Sequence, residues 1–349
     1  MNSSFSPDAA AALRQHRIES FALANGELLP EAVTAFLTFG ELAPNGRNAI
    51  LVTHGYTSGP DMLRPDSAAA EGSWSELVGP GKPIDTERFF VVCPNMLGSS
   101  YGSTNGASID PRTGRPYGLR FPGVTLADIV SAQHALLDHL GVRHLVAVVG
   151  PSFGGFQAFQ WAVSYPDFVD GIVAATSAPF CPPADVKGIV KRLAQDPNWH
   201  DGDYYDVPGG VDATLTRMRV ETLRSFGIDT VLAARFPDAT ARDAEIQRIA
   251  ATWAERFDAN SMVILMRAAE CFDLRPRLSR IAARVLFVLS STDRLFPPTL
   301  APGVMDALWN AGVQAAYHEI DSPHGHFASG VDAGRWAHRL AAFIEALTR

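Results

Sequence analysis

The stretch Val149-Gly150-Pro151-Ser152-Phe153-Gly154-Gly155 sets a serine between glycines where an apolar run, 144–149, gives way to a run of helical character, 156–165. G-x-S-x-G alone is a weak signal, but between a strand and a helix it describes a turn sharp enough to strain the serine and lift its Oγ above the sheet. Ser152 is therefore the candidate nucleophile. Such a hydroxyl needs a base, and the base needs a carboxylate that fixes its tautomer and stabilises its charge. Asp293 directly follows the apolar run 284–290, in Ser291-Thr292-Asp293-Arg294-Leu295-Phe296-Pro297-Pro298, and is assigned that role in preference to a turn or helix cap. Beyond it, Asp321-Ser322-Pro323-His324-Gly325-His326-Phe327 carries two histidines. His326, preceded by glycine and followed by an apolar residue, is the expected base, and His324 a wall or loop residue. No third ligand lies at a spacing that would make the pair a metal site, so none is expected.

Acyl chemistry on a serine also requires donors for the oxyanion. The backbone N–H of Phe153, next to the nucleophile, is one. The loop His54-Gly55-Tyr56-Thr57-Ser58-Gly59 should supply the other, through the Tyr56 N–H. His54 itself is expected to hold that loop by hydrogen bonds. The glycine cluster Gly98-Ser99-Ser100-Tyr101-Gly102 lacks both the lysine of a phosphate loop and the spacing of a dinucleotide site, so no cofactor is expected.

These residues need a scaffold that delivers each to one rim. Short apolar runs at 33–40, 49–53, 89–93, 144–149 and 171–177 alternate with loops and a helix at 127–140, the pattern of a mostly parallel sheet covered on both faces. From about 181 to 280 the texture turns helical and charged, as in 211–226 and 241–257, and predicts a helical lid inserted into an α/β core of 1–180 and 281–349. A strand at 284–290, a helix near 300–311, a strand at 314–320 and a helix at 334–347 then resume the pattern. The order Ser, Asp, His at successive strand ends is that of the α/β-hydrolase fold.

Composition agrees with an enzyme of small molecules. The 349 residues are 47% hydrophobic, 19% charged and carry a formal net charge of −8, which argues against a nucleic-acid or anionic-membrane partner. The N-terminal MNSSFSPDAAAALRQHR lacks a basic start and an apolar core, and no long apolar stretch follows, so a cytoplasmic address is expected. Cys93, Cys181 and Cys271 are too few and too far apart for a disulfide frame and read as reduced, mostly buried thiols.

The run Asn95 to Thr104 (NMLGSSYGST), then Ile109 to Gly114 (IDPRTG), Tyr117-Gly118, Phe121-Pro122, Asp128-Ile129-Val130 and Gly150 to Pro166, with Asp293 to Pro298 and Gly325-His326, resembles the homoserine O-acetyltransferase family over nearly the whole chain. The resemblance implies an α/β-hydrolase core, a helical lid, an acetyl-enzyme on Ser152 and a homodimer through lid helices. Two positions depart from it. Where the family has an aspartate after the catalytic histidine to hold the substrate's ammonium, this chain has Phe327; where its lid has an arginine for the acceptor's carboxylate, counting back from Asp196-Pro197-Asn198-Trp199 gives Val190, with Lys191 and Arg192 adjacent. A zwitterion without its partners would cost several kcal/mol to bury. The expectation is accordingly a serine carboxylesterase acting on short acyl, chiefly acetyl, esters of an uncharged alcohol. The alternative is an acyl-CoA-dependent O-acyltransferase for homoserine or a related acceptor. A binding protein on an inactive fold is disfavoured, because nucleophile, acid, base and both oxyanion loops occur in order.

Overall fold

A computed structural model describes residues 12–65 and 73–349; the first eleven residues of the N-terminal reading lie outside it. The central sheet has eight strands: β1 (Arg14–Ala22), β2 (Leu28–Phe39), β3 (Ala49–Val52), β4 (Phe90–Pro94), β5 (Leu145–Pro151), β6 (Val169–Ala175), β7 (Arg284–Ser290) and β8 (Ala315–Ile320). Their order is β1-β2-β4-β3-β5-β6-β7-β8. The pairs β1/β2 and β2/β4 are antiparallel and every later pair is parallel. All strands from β3 onward therefore deliver their C-terminal ends to one edge, where an α/β sheet places its ligand.

Alternation within the strands builds two cores, one on each face. In β7, Val285, Phe287 and Leu289 point to one side and Leu286 and Val288 to the other. The first core takes the helices α1 (Leu126–His139) and α2 (Phe153–Ser164). The helices α3 (Val186–Leu193), α4 (Asp212–Phe226), α5 (Ile228–Ala233), α6 (Ala239–Ala254) and α7 (Ala259–Glu270) fill the chain between β6 and β7. They bury apolar clusters of their own, but Ile264, Leu265, Ala268 and Ala269 of α7 also join the main core, which roots this helical insertion, the expected lid. After β7 come α8 (Ala301–Asn310), also in the first core, then α9 (Ala328–Val331) and α10 (Ala333–Leu347). Trp336, Leu340 and Ile344 of α10 cover the opposite face. No described helix is long and apolar enough to cross a membrane. Cys93 is buried as expected, whereas Cys181 is half-buried and Cys271 exposed.

Candidate active site

Ser152 sits between β5 and α2 at φ 54° and ψ −122°, a conformation that costs a non-glycine residue about 1–3 kcal/mol. Its surroundings over-determine it. Its N–H donates to Ala175 O at 2.8 Å, and its carbonyl accepts from Ser177 Oγ at 2.7 Å and Gly155 N at 2.8 Å. The motif's glycines are there for space: a Cβ on Gly150 or Gly154 would collide with the Thr53 carbonyl, and one on Gly155 with Ser177.

The structure brings Asp293 and His326 together. Asp293 Oδ2 lies 2.8 Å from His326 Nδ1, with the two side chains 0% and 7% exposed, so this pair is desolvated. Asp293 Oδ1 accepts from the N–H groups of Leu295 at 2.8 Å and Phe296 at 3.2 Å. Burial pushes the Asp293 carboxyl up, but the facing His326 and the two backbone donors outweigh it and hold the group below the usual carboxylate range. The two loops are laced: Thr292 Oγ1 donates to Ser322 O at 2.7 Å and accepts from Gly325 N at 3.0 Å. The Phe296 ring stacks on His326 at 5.8 Å and meets Phe156 of α2 at 5.9 Å, linking the base loop to the helix that starts at the serine.

His324 has a carboxylate too, with Nδ1 2.6 Å from Asp332 Oδ2. Pairing alone thus does not choose between the histidines. Burial and chain order do: Asp293 directly follows β7 whereas Asp332 follows α9, and His324 is the more exposed ring at 22%. Among the described residues no cluster of three or more His, Cys, Asp or Glu could hold a metal ion.

At the oxyanion loop, Met96 N donates to His54 Nε2 at 3.3 Å, so Nδ1 carries the proton and donates to Gly55 O at 2.8 Å. Because the Gly55 carbonyl and the Tyr56 N–H belong to one planar peptide and point opposite ways, this bond aims the N–H. The Tyr56 ring stacks over Phe153, the other candidate donor residue, at 6.0 Å. Behind them runs a buried amide chain. Trp161 Nε1 donates to Gln133 Oε1 at 2.8 Å, Gln133 Nε2 to Gln157 Oε1 at 2.6 Å, and Gln157 Nε2 to His54 O at 3.1 Å.

Phe327 and Val190 are placed otherwise than the sequence argument needed. Phe327, 3% exposed, is seated among Val220, Leu223, Ile228, Ile246, Ile249 and Ala250 of the lid helices, with the Phe226 ring edge-on at 6.0 Å. Val190 joins the lid cluster of Leu193, Trp199, Met218 and Trp253, beside Tyr56. Phe327 is thus packed into the helical cluster, while Val190 stays half-buried beside Tyr56. Sequence reasoning missed Arg219, 1% exposed, whose guanidinium lies over Trp253 at 4.7 Å and donates to Thr57 Oγ1 at 2.7 Å. Its signal was an arginine on the inward stripe that Leu215, Met218 and Leu223 define in α4. Asp258 was missed as well. As N-cap of α7 it accepts from Ser261 N at 2.9 Å, from Tyr205 Oη at 3.1 Å and from Tyr204 Oη, while its own N–H donates to Ser100 Oγ at 2.9 Å. Desolvation pushes its carboxyl up despite those donors.

Residues 48–333 match the alpha/beta hydrolase fold family. A homoserine O-acetyltransferase from Symbiobacterium thermophilum is 39% identical over 353 residues, covering 93% of this chain and 92% of that protein. The chain belongs to the homoserine O-acetyltransferase family of α/β-hydrolases. Among solved structures, a crystallised esterase variant is 25% identical with a TM-score of 0.85, covering 96% of this chain and 99% of its own. The homoserine O-acetyltransferase of Bacillus anthracis is 26% identical with a TM-score of 0.83, covering 96% and 97%. Further curated relatives at 32–36% identity, each matched over at least 90% of this chain, are also named homoserine O-acetyltransferase. That consistency overturns the carboxylesterase expectation.

Proposed function

We propose that this protein is an acyl-CoA-dependent O-acyltransferase that moves an acetyl group to the hydroxyl of homoserine. Ser152 Oγ attacks the thioester carbonyl as His326 takes its proton, and the Phe153 and Tyr56 N–H groups stabilise the oxyanion. Collapse expels CoA, which leaves with the proton from His326. The homoserine hydroxyl then gives its proton to His326 and attacks the acetyl-enzyme; a second collapse returns that proton to Ser152 as O-acetylhomoserine departs. Asp293 stabilises the imidazolium at each stage.

The observation that carries this reading is the near-complete coverage of relatives named for that transfer, joined to the desolvated Asp293–His326 pair at the same sheet edge as the Ser152 turn. The test is thiol release from acetyl-CoA with and without homoserine, with intact-mass detection of the acyl-enzyme. Homoserine-dependent release, lost in Ser152→Ala, is expected; release indifferent to homoserine would overturn the assignment of acceptor.

A further inference from the structure

Thr57 is the residue after the candidate oxyanion donor, and the lid grips it. Its carbonyl accepts from Trp253 Nε1 of α6 at 3.0 Å and from Tyr101 Oη at 3.2 Å, and its hydroxyl accepts from Arg219 Nη1 of α4 at 2.7 Å. The preceding Tyr56 is held by α7, through its Oη on Met262 O at 2.5 Å. Thr57, Arg219 and Trp253 are all buried, and the guanidinium lies on the indole face, so the donors are mutually ordered. Tyr101 contributes from a backbone at φ 71°, away from the ordinary regions of a non-glycine residue.

The sheet side holds a different part of the loop. His54 Nδ1 and Ser58 Oγ, at 2.8 and 3.3 Å, both reach Gly55 O. The peptide that carries the Tyr56 N–H is thus fixed by the core at one end and by three lid helices at the other.

We propose that Trp253 and Arg219 are positioning residues that act through Thr57 to hold the Tyr56 N–H on the oxyanion, so that formation of the acyl-enzyme depends on the seated lid. The inference rests on the catalytic reading above. A donor displaced by about an ångström forfeits most of its effect, so the chemical step should slow by about ten- to a hundredfold while ground-state binding holds.

The experiment is rapid-quench acylation of the full-length protein by p-nitrophenyl acetate, which needs the nucleophile and oxyanion hole but no acceptor. Trp253→Phe removes one N–H and keeps a ring under Arg219; Thr57→Val removes the acceptor for Arg219; Thr57→Ser restores it. Expected are burst rates reduced by about ten- to a hundredfold in Trp253→Phe and Thr57→Val, with KM moved by less than about threefold, and recovery in Thr57→Ser. Should Trp253→Phe not fold, the Thr57 pair carries the same comparison. Acylation of Ser152 at the wild-type rate in both variants, or a slow rate that Thr57→Ser fails to rescue, would overturn the inference and leave the catalytic reading standing. A wild-type protein that never acylates Ser152 would overturn both.

Discussion

Truncating Phe327 separates lid packing from acceptor binding. The ring is 3% exposed and touches residues of α4, α5 and α6, so Phe327→Ala leaves a cavity between the base loop and the lid and should cost about 3–5 kcal/mol. With unfolding entropy of about 2 cal/mol/K per residue, 349 residues give about 0.7 kcal/mol/K, and the melting temperature should fall by about 4–7 °C. Phe327→Asp should fall at least as far, since an unpaired carboxylate in that cluster adds a desolvation cost to the lost volume. Calorimetry and thiol-release kinetics on the same samples make the comparison, with homoserine KM expected to stay within about threefold in Phe327→Ala where the protein remains folded. An unmoved melting temperature with a large change in homoserine KM would refute the reasoning and return Phe327 to the acceptor pocket.

Other substitutions test the Asp293–His326 pair and the α7 cap. Asp293→Asn should retain the fold but lower kcat by about four orders of magnitude, because the amide favours the wrong imidazole tautomer; wild-type turnover would refute that role for Asp293. It should also cost stability near neutral pH, with the deficit fading toward acid pH. Since the carboxyl is held below its ordinary range, its contribution is present above the unfolded-state value and lost as pH falls through the folded one, which denaturation midpoints across acidic pH will report. His326→Ala should abolish transfer and His324→Ala should not, so equal losses in a kcat comparison would unseat His326 as the base. Asp258 has the opposite sign. Its raised carboxyl makes stability decline as pH rises from about 4, the unfolded value, toward the folded one, and Asp258→Asn should flatten that slope in pH-resolved melts while keeping the α7 cap.

The residues of the candidate triad were legible because local rules set them apart. Gly150 and Gly154 face the Thr53 carbonyl where nothing larger fits, and Asp293 and His326 follow strands that every parallel neighbour aligns. Most element boundaries fell within two or three residues for the same reason. Strand β1 was invisible, since Arg14, Gln15, His16, Arg17 and Glu19 make an exposed edge with no apolar alternation, and only its pairing with β2 makes it a strand. Helix α7 was hidden differently: it is apolar on both its lid side and its core side, so it lacked the one-sided stripe that marked 211–226. The place of Phe327 could not be read at all. Its neighbours stand some eighty to a hundred positions earlier in the chain, and the mistaken choice of esterase followed from assigning it to a pocket that only tertiary contact defines.

The amide chain from Trp161 to His54 has a direction. An indole N–H can only donate and a backbone carbonyl can only accept, so Gln133 and Gln157 between them have no freedom to flip. Either glutamine exchanged singly for glutamate would set a carboxylate against an oxygen that offers no proton, in a place water does not reach. A change at one of these two positions is therefore felt at both ends of the chain, from the indole on α2 to the carbonyl of the oxyanion loop.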